Sequence, residues 1–248
     1  MGLREEKKQA TRTALADAAL RLFMEHGFEG VTVADVAHVA RVSVNTVFNY
    51  FPTKEDLFFD RQDEVIDRLP AAIRARAADE SMAAAARRAF LSEIDRQEVT
   101  LGMHAGIAGF WRVVDDSPSL QGGLRRLRDR TESALAETLR EVTDAEEEDP
   151  MPEVAAAMLT AVDAALHAEI RRRVLAGEHP DAIRERVREM AEVGFEALEH
   201  GLATYGTGGH AEKATGGHTK KAAGSRAKRS TGSNAGKTTG SNAEKGAR

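Results

Sequence analysis

On one short segment Ser43, Asn45, Thr46, Asn49 and Tyr50 fall at helical spacing, and each carries a group that donates or accepts hydrogen bonds. Such a set suits recognition of polar edges. An asparagine amide sets a donor beside an acceptor, matching the adenine edge in a DNA major groove, while the hydroxyls reach base edges or phosphates. Bond-breaking chemistry has little to stand on. There is no Gly-rich phosphate loop, no His-Glu-x-x-His and no serine elbow, and the eight histidines are scattered. No cysteine is present, so disulfides, thiolate catalysis and zinc–thiolate sites are excluded. The expectation is a protein that is not an enzyme and needs no cofactor or metal.

These side chains need a rigid support, and the flanking pattern supplies one. Leu15, Ala18, Ala19, Leu22 and Phe23 mark one face of a first helix, which Gly27 ends. Thr32 is placed to cap a second helix, 33–40, with Val33, Val36, Ala37 and Ala40 inward. Ser43 caps a third, 44–50, with Val44, Val47, Phe48 and Phe51 inward, and Pro52 stops it. Two short helices three residues apart, both amphipathic toward the first, form a helix-turn-helix that can hold its second helix out toward a groove. Periodicity alone leaves a generic short surface helix equally open. Thr53 then caps a longer helix that meets Pro70, where a kink or break is expected.

Residues 11–58 resemble the N-terminal domain of the TetR/AcrR regulators. The resemblance is carried by Ala-Ala-x-x-Leu-Phe at 18–23, Gly27-Phe28, Thr32-Val33, Val36-Ala37, Val42-Ser43 and Phe-Pro-Thr-Lys-Glu-Asp-Leu at 51–57. These ordered matches cover about a fifth of the chain. The resemblance implies that 43–50 is a recognition helix, with Thr32 and Lys54 on phosphates and Thr46 and Tyr50 at DNA. Asn45 and Asn49 are the candidate base readers, and Arg41, Ser43 and Val44 complete the expected DNA-contacting set. Two positions depart from the family. Arg41 stands where glycine is usual, which costs about 1–2 kcal/mol if that position is left-handed, and it can reach a phosphate. Phe48 replaces the usual tyrosine and loses a phenolic contact.

Beyond Pro70 helical periodicity continues through approximate helices at 81–99, 101–115, 119–143, 153–176 and 181–204, with strand-like alternation nearly absent. The fold class is therefore all-α. Residues 9–69 are a three-helix helix-turn-helix domain, 70–205 a helical ligand-binding and dimerisation domain, and 206–248 a disordered basic tail. The resemblance implies a homodimer that binds double-stranded DNA and responds to a small molecule of unknown identity, usually as a repressor released from a quasi-palindromic operator. Met103, His104, Phe110 and Trp111 are the candidate pocket residues, though Trp111 as core and His104 as an ordinary satisfied or exposed histidine remain open. Apolar stripes on the last two helices suit a four-helix dimer interface: Ala155, Met158, Leu159, Val162, Leu166 and Ile170 on one, Val187, Met190, Val193, Phe195, Leu198 and Leu202 on the other. Ordinary intramolecular core is the other reading. Arg171-Arg172-Arg173 is read as a solvated helix face.

Net charge is −5, from 35 Lys/Arg against 40 Asp/Glu. The division is uneven: residues 1–205 carry 26 against 38, and residues 206–248 carry 9 against 2. The tail is rich in Gly, Ser, Thr, Ala, Lys and Asn, and without large apolar residues it cannot offset its ordering entropy. Its lysines and arginines suit sequence-independent phosphate contact, or serve only as a solubilising extension. A nucleoid-type DNA-compacting protein driven by this tail is the alternative function. The polar N-terminus does not read as a signal peptide and no run is long enough to span a membrane, so a soluble, cytoplasmic protein with no membrane partner is expected.

Overall fold

The structure is a computed structural model that describes residues 2–104 and 106–202, with side chains for all of these but Leu3 and 200–202. The proposed tail, 206–248, lies outside the described residues. All described residues fall within one compact unit, and among them every regular element is helical. In chain order these are α1 (Leu3–His26), α2 (Val33–Val39), α3 (Val44–Tyr50), α4 (Lys54–Phe58), α5 (Gln62–Arg74), α6 (Met82–Asp95), α7 (Ile107–Asp116), α8 (Pro118–Thr143), α9 (Met151–Leu175) and α10 (Pro180–Leu202), with one 3-10 turn at Val99–Leu101.

Two apolar clusters organise the chain. The first gathers Leu15, Ala19 and Phe23 of α1 with Val36, Ala37, Val47, Phe51, Leu57 and Phe58, and Val114 and Leu120 from farther along also join it. The second is the body core, built from α5, α6, α8, α9 and α10 around Ile73, Met82, Phe90, Leu135, Leu159 and Phe195. Helix limits follow local chemistry. Gly27 leaves α1 at φ +74, Ser81 caps α6 through the Ala84 amide at 3.0 Å, and Ser117 with Pro118 starts α8.

Four expectations change. The helix expected from Thr53 to Pro70 is two helices, broken at residues 59–61, and Pro70 sits inside α5 with its ring buried beside Leu69. The break follows packing: Phe58 stacks on Phe110 at 4.4 Å and meets Phe59 edge-on at 5.2 Å, which seats both rings inward. The helix expected over 81–99 stops at Asp95, after which Gln97 turns at φ +54 and Glu98 N–H donates to the Glu93 carbonyl at 2.9 Å. The helix expected from 101 begins at Ile107, because Gly102 and Gly106 both take positive φ. Finally, Ala155, Leu159, Leu166 and Ile170 on α9 and Val187 and Phe195 on α10 are buried within their own chain. These positions are intramolecular core, because α6 and α8 pack against them, whereas Val193 of the same stripe is 68% exposed.

Candidate nucleic-acid interface and ligand cavity

The α2–α3 pair is built by caps. Thr32 and Asp35 form a capping box: the Thr32 amide donates to Asp35 Oδ2 at 2.8 Å, the Thr32 hydroxyl donates to the same oxygen at 2.6 Å, and the Asp35 amide donates to Thr32 Oγ1 at 3.2 Å. The hydrogen bonds from Thr32 hold the Asp35 carboxyl below the usual carboxylate range. At the end of α2, Val42 N–H donates to the Ala37 carbonyl at 3.0 Å across Arg41, which takes φ +55. This is a Schellman turn with arginine at the left-handed position, so the cost of about 1–2 kcal/mol anticipated for Arg41 is incurred. Ser43 then caps α3, accepting from the Thr46 amide at 3.0 Å, with the two hydroxyls 2.7 Å apart.

Side-chain placement on α3 sorts the candidates. Val47 is fully buried and Phe51 nearly so, which fixes the helix to α1 and α2. Asn45 and Asn49 are exposed and make no side-chain hydrogen bond among the described residues, so both amides are available. Tyr50 is half-buried against the first cluster. Val44 and Phe48, expected inward, are 40% and 45% exposed; with seven residues, α3 has room to bury only one narrow stripe. The phenyl ring that stands in place of the family's tyrosine thus lies on the outer face.

Lys54 begins α4 at a second capping box, Thr53 with Asp56. Burial alone would raise the Asp56 carboxyl, but hydrogen bonds from Thr53 and Gln62 hold it low. The Lys54 ammonium turns inward, donating to the Phe28 carbonyl at 2.5 Å and lying 4.1 Å from the Phe28 ring centroid. Burial pulls its pKa down. In this arrangement Lys54 ties α4 to the end of α1, and what it presents outward is the helix N-terminus. Sequence reasoning missed Arg12, whose guanidinium lies 4.4 Å over the Phe51 ring and donates to the carbonyls of Tyr50 (3.0 Å) and Asp60 (2.9 Å). Arg12 joins α1 to the ends of α3 and α4. Only its place one turn from Leu15 hinted at a packed role.

Behind this module lies a cavity of about 850 Å³. Its walls come from α1 (Leu20, Met24), α4 (Phe58), α7 (Phe110, Trp111), α8 (Leu124, Leu127, Arg128) and α9 (Asp163, His167, Arg171), with Val99, Thr100, Gly102 and His104 between α6 and α7. Of the four candidate pocket residues, His104, Phe110 and Trp111 line it, whereas Met103 is buried in the body core. The α9 wall is polar and backed by a buried charge network: Arg68 lies 3.1 Å from Glu93 and 2.5 Å from Asp163. His167 Nδ1 lies 2.9 Å from the Asp163 carbonyl. Burial depresses the His167 pKa, against the pull of the Asp163 charge, so the ring stays neutral. Burial raises Glu93 although Arg68 opposes it. Arg171, expected on a solvated face, is instead half-buried; it pairs with Asp115 of α7 and lies 4.9 Å over the Trp111 ring.

A family profile, "Bacterial regulatory proteins, tetR family", matches residues 15–60, the span from the buried face of α1 to the end of α4. The chain is 32% identical over 139 residues to the HTH-type transcriptional regulator TcmR of Streptomyces glaucescens, covering 56% of this chain and 57% of that one. It is 30% identical over 145 residues to the HTH-type transcriptional regulator BetI of Burkholderia mallei, covering 56% of this chain and 72% of BetI. Among solved structures, a putative TetR-family transcriptional regulator from Mesorhizobium loti aligns over 77% of this chain and 96% of its own length, with 17% identity and a TM-score of 0.48. The chain belongs to the TetR family of bacterial regulatory proteins. The aligned segment takes in little more than half of TcmR.

Proposed function

We propose that this protein is a sequence-specific DNA-binding transcriptional regulator, a homodimer whose hold on a quasi-palindromic operator is released by a small molecule bound in the cavity. The observation that carries this reading is the outer face of α3. Asn45 and Asn49 stand there exposed and unpartnered, on a helix anchored from behind by Val47 and Phe51. Arg41, Ser43, Val44, Thr46 and Tyr50 border that face, and the capped N-termini at Thr32 and Lys54 flank it as phosphate anchors. Family membership supports a regulator over a DNA-compacting protein, since compaction needs no such reading face.

The same module walls the cavity through Leu20, Met24 and Phe58. A ligand filling that space presses on α1 and α4 directly. It shifts the protein between DNA-competent and released states only by the difference in its affinity for the two. Selection of bound DNA from a random pool tests the reading, followed by footprinting of Asn45→Ala and Asn49→Ala. The expected result is one two-fold symmetric site, with each substitution weakening it by about 1–3 kcal/mol at one base step per half-site. Recovery of DNA without a common sequence, or unchanged footprints in both variants, would refute it.

A further inference from the structure

We propose that the cavity takes an amphipathic acid: a ring-bearing apolar body with one carboxylate or comparable anionic group and a hydrogen-bond acceptor on the body. The proposal rests on the reading of this cavity as the regulatory site, and it follows from what the lining leaves unsatisfied. The carboxylates in the wall are already matched. Asp163 is 2.5 Å from Arg68 and Asp115 pairs with Arg171. The exception is Asp60, which has no ion-pair partner among the described residues. Burial pushes its carboxyl up, so that its charge is disfavoured although Arg12 and Arg61 oppose the shift. Two of the arginines are matched from outside the cavity, Arg61 by Glu64 at 2.5 Å and Arg172 by Glu169 at 2.8 Å.

Arg128 of α8 is not matched. It lines the cavity at its solvent-exposed side, and among the described residues it has neither an ion-pair partner nor a hydrogen bond. Trp111 holds the second unsatisfied group: its Nε1 is buried without an acceptor. That nitrogen lies against Gly102, another lining residue, where a side-chain carbon would come within 3.8 Å. An oxygen entering between the indole and Gly102 would give this donor its partner. Asp163 Oδ1 is also buried without a hydrogen bond of good geometry, but the Arg68 guanidinium 2.5 Å away balances its charge. The two groups left without any partner are donors, and one is charged.

A cationic ligand would find only Asp60 without an ion pair, a carboxyl whose charge burial disfavours, and would add to a lining with four arginines against three aspartates. An anion removes that excess, in a charge-assisted contact with a guanidinium. Phe58, Phe59, Phe110 and Trp111 supply the flat apolar surface for the rest of the molecule.

The test uses the full-length protein and a matched pair of fluorescent probes, anilinonaphthalene sulfonate and its uncharged parent, N-phenyl-naphthylamine. They share their rings and differ by the anionic group. The sulfonate is expected to bind about tenfold more tightly than the parent. Arg128→Gln should erase that preference without weakening the parent, whereas Arg125→Gln, exposed on the same helix outside the lining, should keep it. Equal affinities on the unaltered protein, or a preference that survives Arg128→Gln, overturn the proposal and leave the cavity as a ligand site. If neither probe binds, the cavity reading falls and the proposal with it.

Discussion

Phe48 shows how one side chain changes meaning between sequence and structure. Apolar and set four residues after Val44, it fits the inward stripe of a helix; in the fold it is 45% exposed on the outer face of α3, beside Asn45 and Asn49. An exposed phenyl ring on a groove-facing helix has a natural counterpart in the thymine methyl, the one apolar feature of the major-groove edge. We therefore expect Phe48→Ala to lower discrimination between thymine and cytosine at a single position of each half-site, leaving the adenine-dependent positions intact. Competition binding with single-base operator variants measures this. A uniform loss of affinity at all positions would instead mean that Phe48 supports the helix. Arg41 works at the same scale: the family's usual glycine pointed to a left-handed backbone there, and the φ of +55 shows that the arginine takes that conformation and bears its strain.

At the scale of elements, the cavity and the DNA-binding module share walls, and their contact is tight. Gly123 of α8 faces Phe59, and a Cβ built there would sit 2.9 Å from the ring. Phe59 is held edge-on to Phe58 at 5.2 Å and to Phe110 at 6.4 Å, so it has little room to yield. Gly123→Val should destabilise the protein by roughly 1–3 kcal/mol in a denaturant titration and shift operator affinity in the absence of ligand. Unchanged stability would show that α8 moves away freely. His167 offers a second check on the α9 wall, where it faces Asp163, Arg68 and the edge of Phe90. Its pKa is depressed below the unfolded value of 6.5, so the neutral ring favours the folded state and that stability is lost as pH falls below 6.5. The thermal midpoint should fall from about pH 7.5 to about pH 5.5, and His167→Gln should flatten the fall; an equally steep fall in the variant would assign it to other groups.

These elements also mark how far sequence reasoning reached. The caps at Thr32, Ser43 and Thr53 and the glycine exit at Gly27 were legible because their causes are local: a hydroxyl three residues from an amide, or a missing Cβ. The break at 59–61 was not, because it depends on Phe110, some fifty residues away. Arg12 and the buried Arg68 network escaped for the same reason, since their partners lie on other helices. Of the pocket candidates, His104, Phe110 and Trp111 line the cavity, while Met103 looks alike in sequence and went to the core. Apolar periodicity identifies a buried face without naming what covers it, and so the stripes of α9 and α10 were legible as faces while a partner chain and the chain's own core both stayed open as their cover.

On the scale of the whole molecule, that reassignment relocates the proposed dimer surface. With Leu159, Leu166, Val187 and Phe195 buried in their own chain, the apolar positions that α9 and α10 leave outward, among charged ones such as Glu189, Glu192 and Glu196, are Val154 at 45% exposed and Val193 at 68%, with Ala157, Ala161 and Ala197 exposed as well. The two helices cross closely, since a Cβ on Gly194 would sit 3.0 Å from Val162, so the outer face is shallow and built of small residues. A second copy packing there across a two-fold axis would form a four-helix interface, and small side chains permit the close approach that such a bundle needs. A paired module matters because residues 1–54 carry seven Lys/Arg against six Asp/Glu. One such module gains little from phosphate attraction, and two recognition helices held about 34–36 Å apart share one operator. Val193→Arg places charge at the most exposed apolar point of this face. Sedimentation equilibrium should then show a monomer, with operator binding lost and naphthylamine fluorescence retained, because the cavity lies within one chain. A variant that stays dimeric would move the interface elsewhere on the molecule. A monomer that still protects a full two-fold site would remove dimerisation from the mechanism.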